Sequence, residues 1–194
     1  MTTYDRTTAL VVIDVQNDFA DPRGSLHVPN GDEILPLVNA EIAAGQEAGA
    51  PVYYTQDWHP PSTPHFEKDG GIWPVHCVQD TWGAEFHPEL TVDGPIVRKG
   101  DDGRDGYSGF SARDPRSGEV SVTPLHSMLK AMERERLIVC GLASDYCVLE
   151  TVLDAVRLGY RVEVREGAIR AVDLHPGDGQ RAIEGMRASG ATIA

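Results

Sequence analysis

The stretch Ala9-Leu-Val-Val-Ile-Asp14, ALVVID, is apolar without alternation and closes on a carboxylate. A strand with one face in water alternates apolar and polar residues, whereas a short continuous run suits a strand covered on both faces, as in a parallel sheet. Similar runs recur at Ala50-Pro-Val-Tyr-Tyr-Thr-Gln-Asp57, Gly94-Pro-Ile-Val-Arg-Lys99, Leu137-Ile-Val-Cys-Gly141 and Tyr160-Arg-Val-Glu-Val164, with a last short one at Ala191-Thr-Ile193. Together they predict about six strands.

Helical patterns fill the intervals. The clearest starts near Ser144-Asp145, either of which would serve as its cap, carries Val148, Val152, Ala155 and Val156 along one face, and ends at Gly159. Others are read over residues 32–48, 123–134 and 178–188. This alternation predicts a doubly wound α/β fold with right-handed crossovers, as a single domain over residues 1–194. Two irregular segments interrupt it, 58–93 and 100–122, the second holding the turn Asp114-Pro-Arg-Ser-Gly118. Loops of such length in a compact domain usually build a site.

Composition narrows the function classes. With 194 residues, 41% of them hydrophobic, the chain can build a core without disulfide staples. Its three cysteines, Cys77, Cys140 and Cys147, are odd in number and irregularly spaced, which suits a reducing compartment. The start, MTTYDRTTALVVID, lacks a basic-then-apolar leader, and nowhere do 18 apolar residues run together. A cytoplasmic protein with no membrane partner is the expectation. Seventeen basic against thirty acidic residues leave a formal charge of −13, which repels phosphate backbones and argues against nucleic acid.

Polar residues then fall at useful places on this frame. Asp14 ends the first strand, Asp57 the second and Lys99 the third, while Cys147 lies one turn beyond the fourth. Ligand crevices of open α/β sheets form at the carboxyl ends of strands, so these groups are expected to converge. Cys140, inside an apolar strand, reads as core filler, and Cys77 as structural. Cys147 differs, because the first turn of a helix offers free N–H groups and a positive dipole end that stabilise a thiolate. An attacking thiol also needs a base and a cation, and Asp14 and Lys99 supply them.

The loop Asp57-Trp-His-Pro-Pro-Ser-Thr-Pro-His65 offers Asp57, His59 and His65, and Trp73-Pro-Val-His76 adds a third imidazole. Mixed carboxylate and imidazole donors suit Zn, Fe or Mn ions better than Ca or Mg. Prolines stiffen the loop and lower the entropy lost when the donors gather. The pairs His87-Pro88 and His175-Pro176 read as loop decoration.

Ile13-Asp14-Val-Gln-Asn-Asp-Phe19, Asp57-Trp-His59, Trp73-Pro-Val-His-Cys77, Lys99-Gly100, Tyr107-Ser-Gly-Phe110 and Gly141-Leu-Ala-Ser-Asp-Tyr-Cys-Val148 resemble, in this order, the nicotinamidase/pyrazinamidase branch of the isochorismatase-like cysteine hydrolases. The resemblance spans about residues 9–190 and implies a Rossmann-like, three-layer α/β/α fold around a six-stranded parallel sheet. It further implies that Cys147 attacks the carboxamide of nicotinamide, that Asp14 moves the proton, and that Lys99 holds the pair charged. The Leu142-Ala143 peptide is expected to be cis, aiming the Ala143 and Cys147 N–H groups at the oxyanion. Asp57, His59, His65 and His76 would ligate a divalent metal, foremost zinc, that positions the pyridine ring, and Phe19, Trp73 and Tyr107 would line the ring pocket. The activity would serve pyridine nucleotide salvage. Relatives are commonly homo-oligomers, although no apolar surface pattern here specifies one.

The sequence departs from the family at Glu67, which stands where a small residue is common and would join or replace His65 as ligand. The acidic, glycine-rich segment 101–106 leaves that side of the pocket unread. Rival readings are a hydrolase of another small amide or carbamoyl compound and a metal-binding domain with a relic triad. Isochorismate hydrolysis fits less well, because that branch does not use the nucleophilic cysteine.

Overall fold

The computed structural model describes residues 4–194, so Met1-Thr2-Thr3 of the leader reading lies outside the described residues. Strand β1, Thr8–Ile13, is buried at every position, which is why its sequence does not alternate. On one side it pairs in parallel with β2 (Val52–Asp57), which pairs with β3 (Ile96–Lys99). On its other side lies β6 (Arg136–Leu142), followed by β7 (Arg161–Arg170) and β8 (Thr192–Ile193). The six-stranded parallel sheet thus has the order β3-β2-β1-β6-β7-β8. Strand order reverses between β1 and β6, so the ligand crevice is expected outside their carboxyl ends.

Alternate side chains of β1 enter different cores. Ala9, Val11 and Ile13 pack with residues of α3 (Leu125–Ala131), α4 (Cys147–Arg157) and α5 (Asp178–Ser189), including Leu129, Val152 and Met186. Leu10 and Val12 pack on the opposite face with Leu35, Val38 and Ile42 of α2 (Leu35–Glu47). These are the three layers expected from the sequence. No helix among the described residues is long and apolar enough to cross a membrane.

The structure corrects the sequence reading in four places. Residues 111–122, read as irregular, form an antiparallel hairpin of β4 (Ser111–Arg113) and β5 (Val120–Val122). Its strands have three residues each, so the alternation Val120-Ser-Val122 is too short to stand out from the surrounding loop. Strand β7 runs six residues past its expected end, because a register shift in β6 between Val139 and Gly141 lets Gly141 pair with Ile169. A four-residue helix, α1 (Asn17–Ala20), follows β1 unannounced. Finally, neither Ser144 nor Asp145 caps α4. Tyr146 occupies the cap without a side-chain bond, and the Asp145 carboxylate instead accepts the N–H groups of Val172 and Asp173 at 3.0 and 2.8 Å.

The long 58–93 segment is fastened to the sheet by buried polar groups. Asp18 of α1 accepts the Ser25 N–H at 3.0 Å and the Cys77 N–H at 2.7 Å, fixing the residue beside His76. Gly83 packs so closely here that a Cβ would lie 2.0 Å from Asp18 Oδ2. Asp18→Ala should therefore leave the buried Cys77 N–H without an acceptor and cost about 1–3 kcal/mol. Urea unfolding measures this, and an unchanged midpoint would refute the anchoring role.

Candidate active site

Asp14, Lys99 and Cys147 meet at the switch point. Asp14 follows β1 in the left-handed backbone region, φ 46°, unusual for a residue with a Cβ. Its Oδ1 accepts the Thr55 hydroxyl at 2.7 Å, and its Oδ2 forms an ion pair with Lys99 Nζ at 2.8 Å. Lys99, the last residue of β3, also bonds Asp57 Oδ1 and the Gly106 carbonyl, and its Nζ lies 3.5 Å from Cys147 Sγ. All four side chains are buried.

Burial would push the Lys99 ammonium down, but the Asp14 and Asp57 carboxylates outweigh it and hold Lys99 well above the ordinary lysine range. For Asp14 burial dominates over the opposing Lys99 charge, and the carboxyl is raised to about 6. Burial also pushes the Cys147 thiol up, with Lys99 opposing and Asp14 adding to the rise. The helix-start thiolate expected from the sequence is therefore a neutral thiol at rest: the desolvation cost exceeds the help of one ammonium already shared by two carboxylates. Moving the thiol proton to Asp14 leaves the cluster's total charge unchanged, so the activated pair forms without adding a buried charge.

Beside the thiol, the Leu142-Ala143 peptide is cis, as expected. The Ala143 and Cys147 N–H groups donate no hydrogen bond to the described residues. The absence of a side-chain cap on α4 keeps its first donor open, so both groups are available to an oxyanion.

Three imidazoles stand opposite. His59, His65 and His76 are buried, each with a ring nitrogen within 4.8 Å of the others'. His76 Nδ1 lies 2.8 Å from the Pro74 carbonyl and His65 Nδ1 lies 2.6 Å from Asp105 Oδ1. Both oxygens only accept, so each Nδ1 donates, and in a neutral ring with that proton Nε2 carries the lone pair. Burial and the neighbouring His59 lower His76 to about 4, keeping it neutral. Among the described residues neither nitrogen of the buried His59 has a hydrogen-bond partner, and its Nε2 is 3.7 Å from Asp57 Oδ2. Gly100, at φ +73°, makes room for this ring, because a Cβ there would lie 2.7 Å from His59 Nδ1. Orphaned buried imidazole nitrogens beside a carboxylate fit a divalent first-row cation. Burial would raise the Asp57 carboxyl, but Lys99 and then His59 outweigh it and hold Asp57 well below the usual range. Its carboxylate therefore stays ionised and faces both halves of the site.

Phe19, Trp73 and Tyr107 line the cavity between Cys147 and the imidazoles, and Trp73 Nε1 donates to Tyr107 Oη at 2.8 Å. Leu26, Tyr146 and Val172 also line it and were missed. Tyr146 adjoins the nucleophile in sequence, but nothing in the letters marks Leu26 or Val172. Gln16 was missed as well: its side chain donates to the Asp57 and Ala84 carbonyls and accepts the Asp57 N–H, each at 2.8 Å, tying the ends of β1 and β2 together. Glu67 is exposed in a short 3₁₀ turn, whereas His65 stands in the cluster with His59 and His76.

The isochorismatase domain family matches residues 8–194. The nicotinamidase of Escherichia coli (strain K12) is 38% identical, over 95% of this chain and 93% of its own length. The crystal structure of the pyrazinamidase of Pyrococcus horikoshii in complex with zinc is similar with a TM-score of 0.86 at 40% identity, covering 97% of this chain and 98% of that one. PnC1 from L. infantum in complex with nicotinate gives a TM-score of 0.89 at 32% identity, covering 100% and 95%.

The three thiols are expected to differ in reactivity. Cys147 lines the cavity, whereas Cys77 and Cys140 are fully enclosed. Iodoacetamide added to the native protein should label Cys147 first, faster as pH rises because the thiol must ionise. Peptide mass spectrometry reads the order; earlier labelling of Cys77 or Cys140 would contradict the assignment.

Proposed function

Given that the chain belongs to the isochorismatase family, we propose that it is a nicotinamidase, a metal-assisted cysteine amidohydrolase converting nicotinamide to nicotinate and ammonia and acting likewise on pyrazinamide. The observation that carries this reading is one cavity lined by the Cys147 thiol, with Asp14 and Lys99 beside it and two open N–H groups, and also by His65 and His76, with which His59 is clustered. A hydrolase of another small amide would need the triad alone. The imidazoles and aromatic rings favour a flat heteroaromatic amide.

Cys147 Sγ attacks the carboxamide carbon while Asp14 takes the thiol proton, and Lys99 balances the charge that moves between them. The Ala143 and Cys147 N–H groups receive the oxyanion. Collapse of this adduct breaks the C–N bond, Asp14 passes the proton to the leaving group, and ammonia departs from a Cys147 thioester. Asp14 then draws a proton from water as it attacks the thioester carbon. The C–S bond breaks, Asp14 returns that proton to the Cys147 sulfur, and the product leaves as nicotinic acid, which ionises to nicotinate by releasing a proton to solvent. Phe19, Trp73 and Tyr107 hold the ring. Asp57, His59, His65 and His76 would hold the divalent metal, zinc foremost with iron or manganese as alternatives, and it supplies a Lewis-acid site for the pyridine nitrogen.

Ammonia release from nicotinamide should fall to background in Cys147→Ala, and turnover equal to that of the unmodified enzyme would refute the mechanism. Chelation should cripple the activity and zinc should restore it; a stripped protein at full rate would remove the metal's positioning role. Because Asp14 must be ionised to accept a proton and its carboxyl is raised to about 6, kcat/KM should decline below that pH, approaching about tenfold per unit. A rate that stays level down to pH 4 would exclude Asp14 as the base.

A further inference from the structure

Asp105 lies in the segment whose sequence gave no reading, and the catalytic steps above do not use it. Its backbone is fixed, because Asp105 and Arg113 exchange N–H to carbonyl bonds of 2.7 and 2.9 Å that continue the β4 edge. Thr63, two residues before His65, holds the same strap by donating its hydroxyl to the Gly103 carbonyl at 2.9 Å. From this footing the Asp105 carboxylate reaches inward to His65 Nδ1 at 2.6 Å. The next residue, Gly106, gives its carbonyl to Lys99 Nζ, and a Cβ there would meet the Gly100 nitrogen at 2.6 Å. One dipeptide therefore touches the imidazole cluster with a side chain and the catalytic ammonium with its backbone.

We propose that Asp105 is a positioning residue for the metal centre: its carboxylate holds His65 as the Nδ1–H tautomer and so keeps the Nε2 lone pair directed at the donor cluster. This rests on the metal-site reading above. A neutral imidazole left to itself distributes its proton between both nitrogens, and a ring protonated at Nε2 cannot ligate through that atom. Hydrogen bonds from outer groups to ligating histidines commonly contribute about 10–100-fold in metal affinity. The Asp105 side chain is 22% exposed and its backbone pairing needs no carboxylate, so truncation should spare the fold.

The test uses the full chain stripped of metal and titrated with Zn²⁺ against a chromophoric chelator, comparing the unmodified protein with Asp105→Ala and Asp105→Asn. Asp105→Ala should bind Zn²⁺ about 10–100-fold more weakly, whereas Asp105→Asn, whose amide oxygen still accepts, should recover most of the loss. In the metal-free protein, long-range ¹H–¹⁵N NMR should show His65 as the Nδ1–H tautomer, with the Nε2–H form growing in Asp105→Ala. Unchanged affinity in Asp105→Ala, an equal loss in both variants, or an unaltered tautomer would each overturn the proposal. These readouts do not involve nicotinamide, so a protein that fails to hydrolyse it can still pass them, and the two readings can fail separately.

Discussion

The ammonium of Lys99 is enclosed by the Asp14 and Asp57 carboxylates, and the rest of the site is arranged around that enclosure. A charge taken out of water is tolerated only when paired and hydrogen-bonded. Lys99 is held by two carboxylates and by the Gly106 carbonyl, which draws the ends of β1, β2 and β3 to one point. The same crowding governs the thiol. With the ammonium already shared, no spare positive charge remains to hold a resting thiolate, and Cys147 keeps its proton until Asp14 takes it.

Asp57 joins the two halves of the site. One oxygen faces the Lys99 ammonium and the other faces His59, so the carboxylate belongs both to the charged cluster and to the imidazole set. Gln16 fixes its backbone from β1, and Asp18 fixes the loop that returns His76 to the same place. The result is a spacing between thiol and imidazoles set by buried polar bonds to the sheet instead of by the loop's own stiffness. The prolines between His59 and His65 restrict the chain, but the register of the donors comes from these anchors.

Several residues were legible because their role follows from position along a strand or helix. Asp14, Asp57 and Lys99 sit at strand ends, and Cys147 opens a helix, so alternation of elements alone brings them to one edge. Asp145 was misread as a cap because its sequence position permits capping, while its actual partners, Val172 and Asp173, are 27 and 28 residues away. The reading of Glu67 stayed open for a similar reason. A carboxylate two residues from His65 is chemically competent as a ligand, and only the turn that exposes it removes it.

The sequence by itself determined the doubly wound order of elements and the placing of a base, a cation and a thiol at one rim, because burial on both faces of a parallel strand leaves a direct mark on composition. It also determined the donor types, since imidazole and carboxylate chemistry is a property of single residues. Only the tertiary structure decided the burial that holds the Cys147 proton, the hydrogen-bond partners of His65 and His76, the open α4 start and the course of segment 101–106. Each of those depends on desolvation and on distances of a few ångströms between residues far apart in the chain, and no local pattern encodes such distances.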